Sequence, residues 1–373
     1  MKAIAVHPGR PGSIHLADIP EPSLDEIPDG RGVLARMLRV GVDATDREIN
    51  DGEYGAAPPG SDALVLGHES FARVEAVGSR VTEVQPGNYV VFTVRRPGDS
   101  LYDRIGFQDV STSETYYERG INLLDGFLTE RVVDSADFAV RVPPGLAEIG
   151  VLLEPTSVAE KAIRQAYKIQ ERLAVWRPQR AVVLGAGPLG LLATMALRVR
   201  GLEVVTYALA RKPYRNATLV ERTGAHYVSA AETSLKALTR DIGNIDLMIE
   251  ATGFSPLVFE AMERLGSNGA LVLTGIAGGD RQADEVHADH ILQGFVLGNK
   301  VAVGSVNAAR MDFEAGVADL AVAESLWPGW CAALLTHRVR GLEGYMRMME
   351  LLTDEHDAIK VYVEITESGP DLG

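Results

Sequence analysis

Three glycines, Gly185, Gly187 and Gly190, stand in "VLGAGPLG" at G-x-G-x-x-G spacing. The apolar run "RAVVL" precedes them and the helix-forming "PLGLLATMALRVRG" follows. That strand–turn–helix context gives an otherwise weak motif its weight. The chemistry it implies is pyrophosphate binding. Gly185 permits a tight turn, Gly187 lets backbone approach a phosphate, and Gly190 lets the helix pack closely on the strand. Pro188 and Leu189 open the helix, whose free N–H groups and positive dipole end face the anion. A glycine-rich turn in a ligand-free α/β fold is the bland alternative.

The next apolar run, "LEVVTYALA", ends without the Asp or Glu that would accept hydrogen bonds from a ribose 2′-hydroxyl. Ala210 is followed instead by Arg211 and Lys212. A carboxylate would repel a 2′-phosphate, whereas two cations suit it. The sequence therefore favours NADP and leaves NAD open; the competing reading is two solvated residues leaving a strand.

These residues need a scaffold, and the chain supplies two kinds. From Arg180 onward apolar strands alternate with helical stretches, the pattern of a parallel sheet covered on both faces. "KVAVGSV" closes that region, and the remainder mixes helix and strand. Before it, from Met1 to about Gly150, short apolar runs such as "KAIAV" and "NYVVFTV" are broken by Gly, Pro and Asp and read as a β-rich domain. Residues Arg96 to Gly126 show no periodicity and read as a long loop, of the kind that is functional or disordered.

With 373 residues and 46% hydrophobic content, the chain can bury two cores. A formal net charge of −15 disfavours nucleic acid and anionic membranes as partners. No apolar run approaches the ~20 residues of a membrane helix. The N-terminus lacks the features of a signal peptide, so a cytoplasmic setting is expected. The single cysteine, Cys331, excludes an intrachain disulfide and reads as a packing residue.

"GHESFARVEAVGSRV" resembles the metal-site segment of the medium-chain, zinc-dependent dehydrogenases, keeping Gly67, His68, Glu69, Gly78 and Val81, with Ala72 where that family usually has glycine. Together with the glycine motif, the resemblance spans essentially the whole chain. Within the family, "LRVGVDATDREI", "TVRRP", "YYERGI", "LLEPTSVAEKA" and "VGSVNA" resemble segments of archaeal-type glucose dehydrogenases, halophilic ones included. The resemblance implies an α/β architecture: a GroES-like catalytic domain over 1–157, a Rossmann cofactor domain over 158–306, and a segment 307–373 returning to the first.

It also implies a catalytic zinc held by Asp43, His68 and Glu154, with Glu69 entering or leaving. Asp43 stands where most relatives have cysteine, and carboxylate with imidazole is sound zinc chemistry. Singly, each residue has a duller explanation: a turn aspartate, a packed histidine, a helix-start glutamate. Many relatives hold a second, structural zinc with four cysteines, which this chain cannot.

The implied reaction is oxidation of β-D-glucose or a related aldose at C1 to the lactone. Thr45 would contact the reacting hydroxyl and begin a proton relay; Glu118, Glu154 and Asn307 would hold the sugar. Further cofactor contacts fall at Thr274, Gly275 and Ile276 and at Ser305, Val306 and Asn307. A homodimer or homotetramer, paired through the cofactor domain's edge strand, is implied too. A zinc-dependent polyol or secondary-alcohol dehydrogenase, a zinc-free quinone oxidoreductase and a non-catalytic NADPH-binding protein remain open alternatives.

Overall fold

The computed structural model describes residues 1–276, 286–353 and 357–366. The chain divides into two compact units: Met1–Glu154 with Ala308–Leu320 and Cys331–Gly373, and Pro155–Asn307 with Ala321–Trp330.

The first unit is β-rich. Its seven-stranded sheet is organised about the long strand Gly32–Val42, which is mostly buried and exposes only Arg36. One side of that strand pairs antiparallel with Glu69–Val77. The other side is shared by Arg131–Ser135 and, further along, Lys360–Glu364. Side chains such as Ile4, Met37, Phe92, Phe127 and Met348 are fully buried and form its core. Each such side chain contributes roughly 1.5–3 kcal/mol by leaving water. The register sets Gly41 opposite Glu69 and Val42 opposite Val361. Three chain segments far apart in sequence therefore end side by side.

The stretch 96–126 is not the irregular loop that its sequence suggests. Arg95–Arg96, Tyr117–Arg119 and Leu123–Leu124 form a small sheet, and Leu101–Arg104 makes one helical turn. Strands of two or three residues are too short to carry a readable period. Polar bonds order the segment. Asp103 Oδ2 accepts the hydroxyls of Ser100 (2.6 Å), Ser111 (2.7 Å) and Ser113 (2.9 Å). Arg96 and Arg119 both reach the buried Asp134.

The second unit is built on six parallel strands in the order His226–Ser229, Glu203–Ala208, Arg180–Leu184, Leu247–Glu250, Ala270–Leu273, Val301–Gly304. The chain starts in the middle, winds outward one way, then returns to wind outward the other. That reversal falls between Arg180–Leu184 and Leu247–Glu250, and ligands of such sheets bind outside the carboxyl ends of the strands at this point. Both strands are almost wholly buried, which accounts for the apolar runs 181–184 and 247–249 within them. Val301–Gly304 is an edge strand and only half-buried. Cys331 is buried. Among the described residues, no helix is long and apolar enough to cross a membrane.

Candidate metal and dinucleotide sites

Asp43 caps the helix Ala44–Asn50. Its Oδ1 accepts Thr45 N–H at 2.8 Å, and Asp46 Oδ2 accepts the Asp43 N–H at 3.1 Å. This reciprocal box fixes the rotamer and leaves Asp43 Oδ2 facing His68 Nε2 at 3.7 Å. Asp46 also accepts Gly67 N–H at 3.1 Å, so one buried carboxylate sets both Asp43 and the turn before His68. Gly67 has φ of +88°, and a Cβ there would come within 2.7 Å of Leu128 Cγ, so glycine is required.

Glu69 opens its strand opposite Gly41, where any side chain would collide with the Glu69 carboxylate. Lys360, buried at the start of its strand, forms an ion pair with Glu69. Glu154 lies in the first turn of the helix Leu153–Gln170 and is buried. One ligand atom each from Asp43, Asp46 and His68 lie within 4.8 Å of one another, as do those of His68, Glu69 and Glu154.

The electrostatics follow from the crowding. Burial first, then the charges of Glu69 and Asp43, pushes the Glu154 carboxyl up to about 8. Burial and the Asp43 charge push Asp46 up to about 6. Burial works the same way on Asp43, but it keeps part of its exposure, and His68, Lys360 and the Thr45 N–H hold it well below the usual range. Burial disfavours the charged His68 ring, yet Asp43, Asp46 and Glu154 carry it well above its ordinary value. His68 Nδ1 is buried without a hydrogen bond among the described residues. Carboxylates forced together until they retain protons, around an imidazole with an orphaned nitrogen, fit a divalent cation, which replaces those protons on binding.

The dinucleotide motif sits in the second unit. Gly185 has φ of +110°, and a Cβ on Gly190 would strike the Gly185 carbonyl, so both are dictated by the turn. Gly187 differs: a Cβ there would meet nothing within 4 Å. The chain's own packing does not require that glycine, whereas close approach of a phosphate does. Gly187 caps the helix Pro188–Val199, leaving its N–H groups open. A pocket of about 640 Å³ adjoins this turn, walled by Gly185–Gly187, Tyr207–Leu209, Thr252, Phe254 and Leu257. Its size and apolar walls suit a nucleoside.

The two cations beyond it differ. Arg211 bonds the Ala231 carbonyl at 3.3 Å, next to the pocket residue Ala230, while Lys212 is engaged by Glu221. The Ala210 carbonyl accepts Tyr227 O–H at 2.7 Å. Thr274 and Gly275 are bonded to the Glu250 carbonyl, and Ile276 is 78% exposed. Ser305 N–H meets the Leu273 carbonyl at 2.9 Å, and the Val306 carbonyl takes Lys161 Nζ at 2.8 Å. Asn307 adopts a left-handed φ of +64°.

In the first unit, the remaining sugar candidate, Glu118, is buried and gripped by Arg95 at 2.7 and 2.9 Å. It lies on the strand Tyr117–Arg119 and is not one of the clustered metal donors. Sequence reasoning missed Asp46 and Lys360. The first had a signal in the D-x-x-D capping spacing of "DATD". The second had none, for 291 residues separate it from Glu69.

A reversed-order parallel sheet with its phosphate-binding turn, carried in one chain with a β-rich unit bearing a carboxylate–histidine cluster, is the make-up of a medium-chain dehydrogenase. Residues 147–365 match the family described as "Glucose dehydrogenase C-terminus", and 29–144 match "Alcohol dehydrogenase GroES-like domain". The chain is 40% identical to Glucose 1-dehydrogenase of Methanocella arvoryzae, over 98% of this chain and 99% of that one. It is 37% identical to Glucose 1-dehydrogenase 1 of Haloterrigena turkmenica, over 98% and 100%. A solved structure, Haloferax mediterranei glucose dehydrogenase in complex with NADP, Zn and gluconolactone, superposes with a TM-score of 0.86 at 33% identity, covering 98% of this chain and 99% of that one. The chain belongs to the zinc-type medium-chain dehydrogenases, in their glucose dehydrogenase branch.

Proposed function

We propose that the chain is a glucose 1-dehydrogenase, oxidising β-D-glucose or a related aldose at C1 to the lactone with NADP as acceptor. The observation that carries this reading is that two groups of metal donors share His68, one with Asp43 and Asp46 and one with Glu69 and Glu154, in a chain whose relatives carry that name over nearly their full lengths. Asp43, His68 and Glu154 would hold the zinc, with Glu69, already paired to Lys360, as the exchangeable member. Bound there, zinc supplies Lewis-acid polarisation of the C1 hydroxyl. NADP, on the Gly185–Gly190 turn, supplies the hydride acceptor.

The chain's own groups do the rest. Asp43 holds the Thr45 N–H and so fixes the helix start that carries the Thr45 hydroxyl. That hydroxyl would take the substrate proton and pass it on. Glu118, oriented by Arg95, would accept two sugar hydroxyls, with Asn307 as a further sugar contact. Arg211 would read the 2′-phosphate. The β-rich unit is then the catalytic domain and the parallel-sheet unit the cofactor domain.

The chain would pair with a second copy through Val301–Gly304, whose outer backbone edge is unpaired among the described residues, and through Leu292, Val296 and Leu297, exposed on the helix that precedes it. A cytoplasmic setting goes with this reading, supported by a cysteine count of one. The test is a panel of aldoses and polyols assayed at 340 nm with NADP and with NAD. Glucose with NADP should give the highest kcat/KM. A polyol or simple secondary alcohol outpacing every aldose would overturn the substrate assignment.

A further inference from the structure

At the reversal of strand order sits a charged group that none of the contacts above uses. Glu250 ends the strand Leu247–Glu250, beside Arg180–Leu184, and is fully buried. Its Oε1 accepts Thr252 N–H (2.6 Å), Thr252 O–H (2.5 Å) and Gly253 N–H (3.0 Å). Its main-chain carbonyl accepts Thr274 N–H (2.9 Å), Gly275 N–H (3.1 Å) and Thr274 O–H (2.6 Å). One residue thus fastens both turns at the carboxyl ends of two adjacent strands. The first turn walls the nucleotide pocket through Ala251 and Thr252. The second is the run Thr274–Ile276.

Three donors converging on one oxygen is the bonding of a carboxylate, which only accepts. The other oxygen, Oε2, is buried and takes no hydrogen bond among the described residues. Gly275 lies against it, and a Cβ there would come within 2.8 Å. Holding two turns requires one oxygen and the main-chain carbonyl. An amide of the same shape would serve for that, without the expense of a buried, half-satisfied charge. The charge therefore calls for a use at the crevice.

We infer that Glu250 supplies a fixed negative potential at the switch point that favours the cationic nicotinamide ring of NADP⁺ over the neutral dihydro ring of NADPH. This rests on the reading of the second unit as an NADP site. The bias strengthens capture of the oxidised cofactor and eases release of the reduced one. It acts through charge, because the turns that Glu250 holds serve both redox forms alike.

The experiment is calorimetric titration of NADP⁺ and NADPH, without sugar, into the wild-type chain and the Glu250→Gln and Glu250→Asp variants. In Glu250→Gln the ratio Kd(NADP⁺)/Kd(NADPH) should rise on the order of fivefold, the scale of a unit charge acting over roughly 15–20 Å through an effective dielectric near 20. Glu250→Asp keeps the charge and should keep the ratio, even if both affinities fall. An unchanged ratio in Glu250→Gln, whatever the absolute affinities, overturns the inference.

Should Glu250→Gln not fold, the wild-type chain gives the answer with the benzamide analogue of NADP⁺, whose ring is flat and neutral. NADP⁺ should bind on the order of fivefold more tightly, and equal binding overturns the inference. A wild-type chain that bound neither redox form would sink the NADP reading itself, an outcome distinct from binding with an unaltered ratio.

Discussion

Replacing Asp134 by Asn tests how the segment 96–126 is held. Asp134 is 3% exposed. Its Oδ2 receives Arg96 Nη2 at 2.5 Å and Arg119 Nε at 3.0 Å, while Oδ1 receives Ser135 N–H at 2.8 Å. Burial works to raise its pKa, but the charges of Arg119 and then Arg96 hold it below the usual 3.8. Burial lowers Arg96 as well, yet a guanidinium starts so high that it stays charged. Asparagine keeps the shape but, in either orientation, sets an N–H₂ against donors at one of the two oxygen positions, and leaves the buried Arg96 and the part-buried Arg119 without their anion. Removing one partner of a buried charge cluster costs about 3–5 kcal/mol. For a unit of this size that is a fall in thermal midpoint of roughly 6 °C or more.

The assay is differential scanning calorimetry of both proteins, with sugar kinetics alongside. Because Arg119 adjoins Glu118, the KM for glucose should rise while NADP affinity holds. The sign of the pH effect follows from the depressed pKa. The carboxylate's contribution is complete above its unfolded value of 3.8 and is lost as pH falls through the lower folded value. The gap between variant and wild type should therefore be full at neutral pH and narrow in acid. A midpoint shift under about 2 °C at pH 7 would refute the reasoning.

Thr45→Ala should lower kcat by about 10²-fold or more, the scale of a lost proton-transfer step, with NADPH affinity nearly intact; full turnover removes Thr45 from the mechanism. Arg211→Ala should weaken NADP binding more than Lys212→Ala, since Lys212 is held by Glu221; the reverse order, measured by titration, would reassign the phosphate contact. Val296→Glu places a charge on an exposed apolar helix face beside the edge strand and should shift the chain toward monomer in analytical ultracentrifugation. An unchanged sedimentation coefficient would move the interface elsewhere.

Much of the second unit was legible because its signals are local and strong. Apart from Arg180 at the start of one and Glu250 at the end of the other, the strands Arg180–Leu184 and Leu247–Glu250 are apolar because both faces are covered, and Gly185 and Gly190 are forced by the turn they make. His68 and Glu69 stand out only through the resemblance of their segment to a family pattern. Alone, each has a mundane explanation, and what unites them is strand register, set by hydrogen bonds between Gly32–Val42, Glu69–Val77 and Lys360–Glu364. That is why Lys360 was invisible in the sequence. The lobe 96–126 was misread for another reason: its order comes from carboxylates gathering hydroxyls and guanidiniums, which leaves no hydrophobic period. Asp46 and Glu250 share a lesson. Each is a buried acid tied to the backbone of a different segment, Asp46 through its carboxylate and Glu250 through its main-chain carbonyl, and such bonds leave no mark on the local pattern.

The central claim is that Asp43, His68 and Glu154 hold a divalent metal on which sugar oxidation depends. It is tested most directly by elemental analysis of the purified chain, paired with glucose-dependent NADP reduction before chelation, after chelation and after zinc is restored. The account predicts about one zinc per chain, removed together with activity and returned together with it. A metal-free chain that oxidises glucose at the undiminished rate would contradict it.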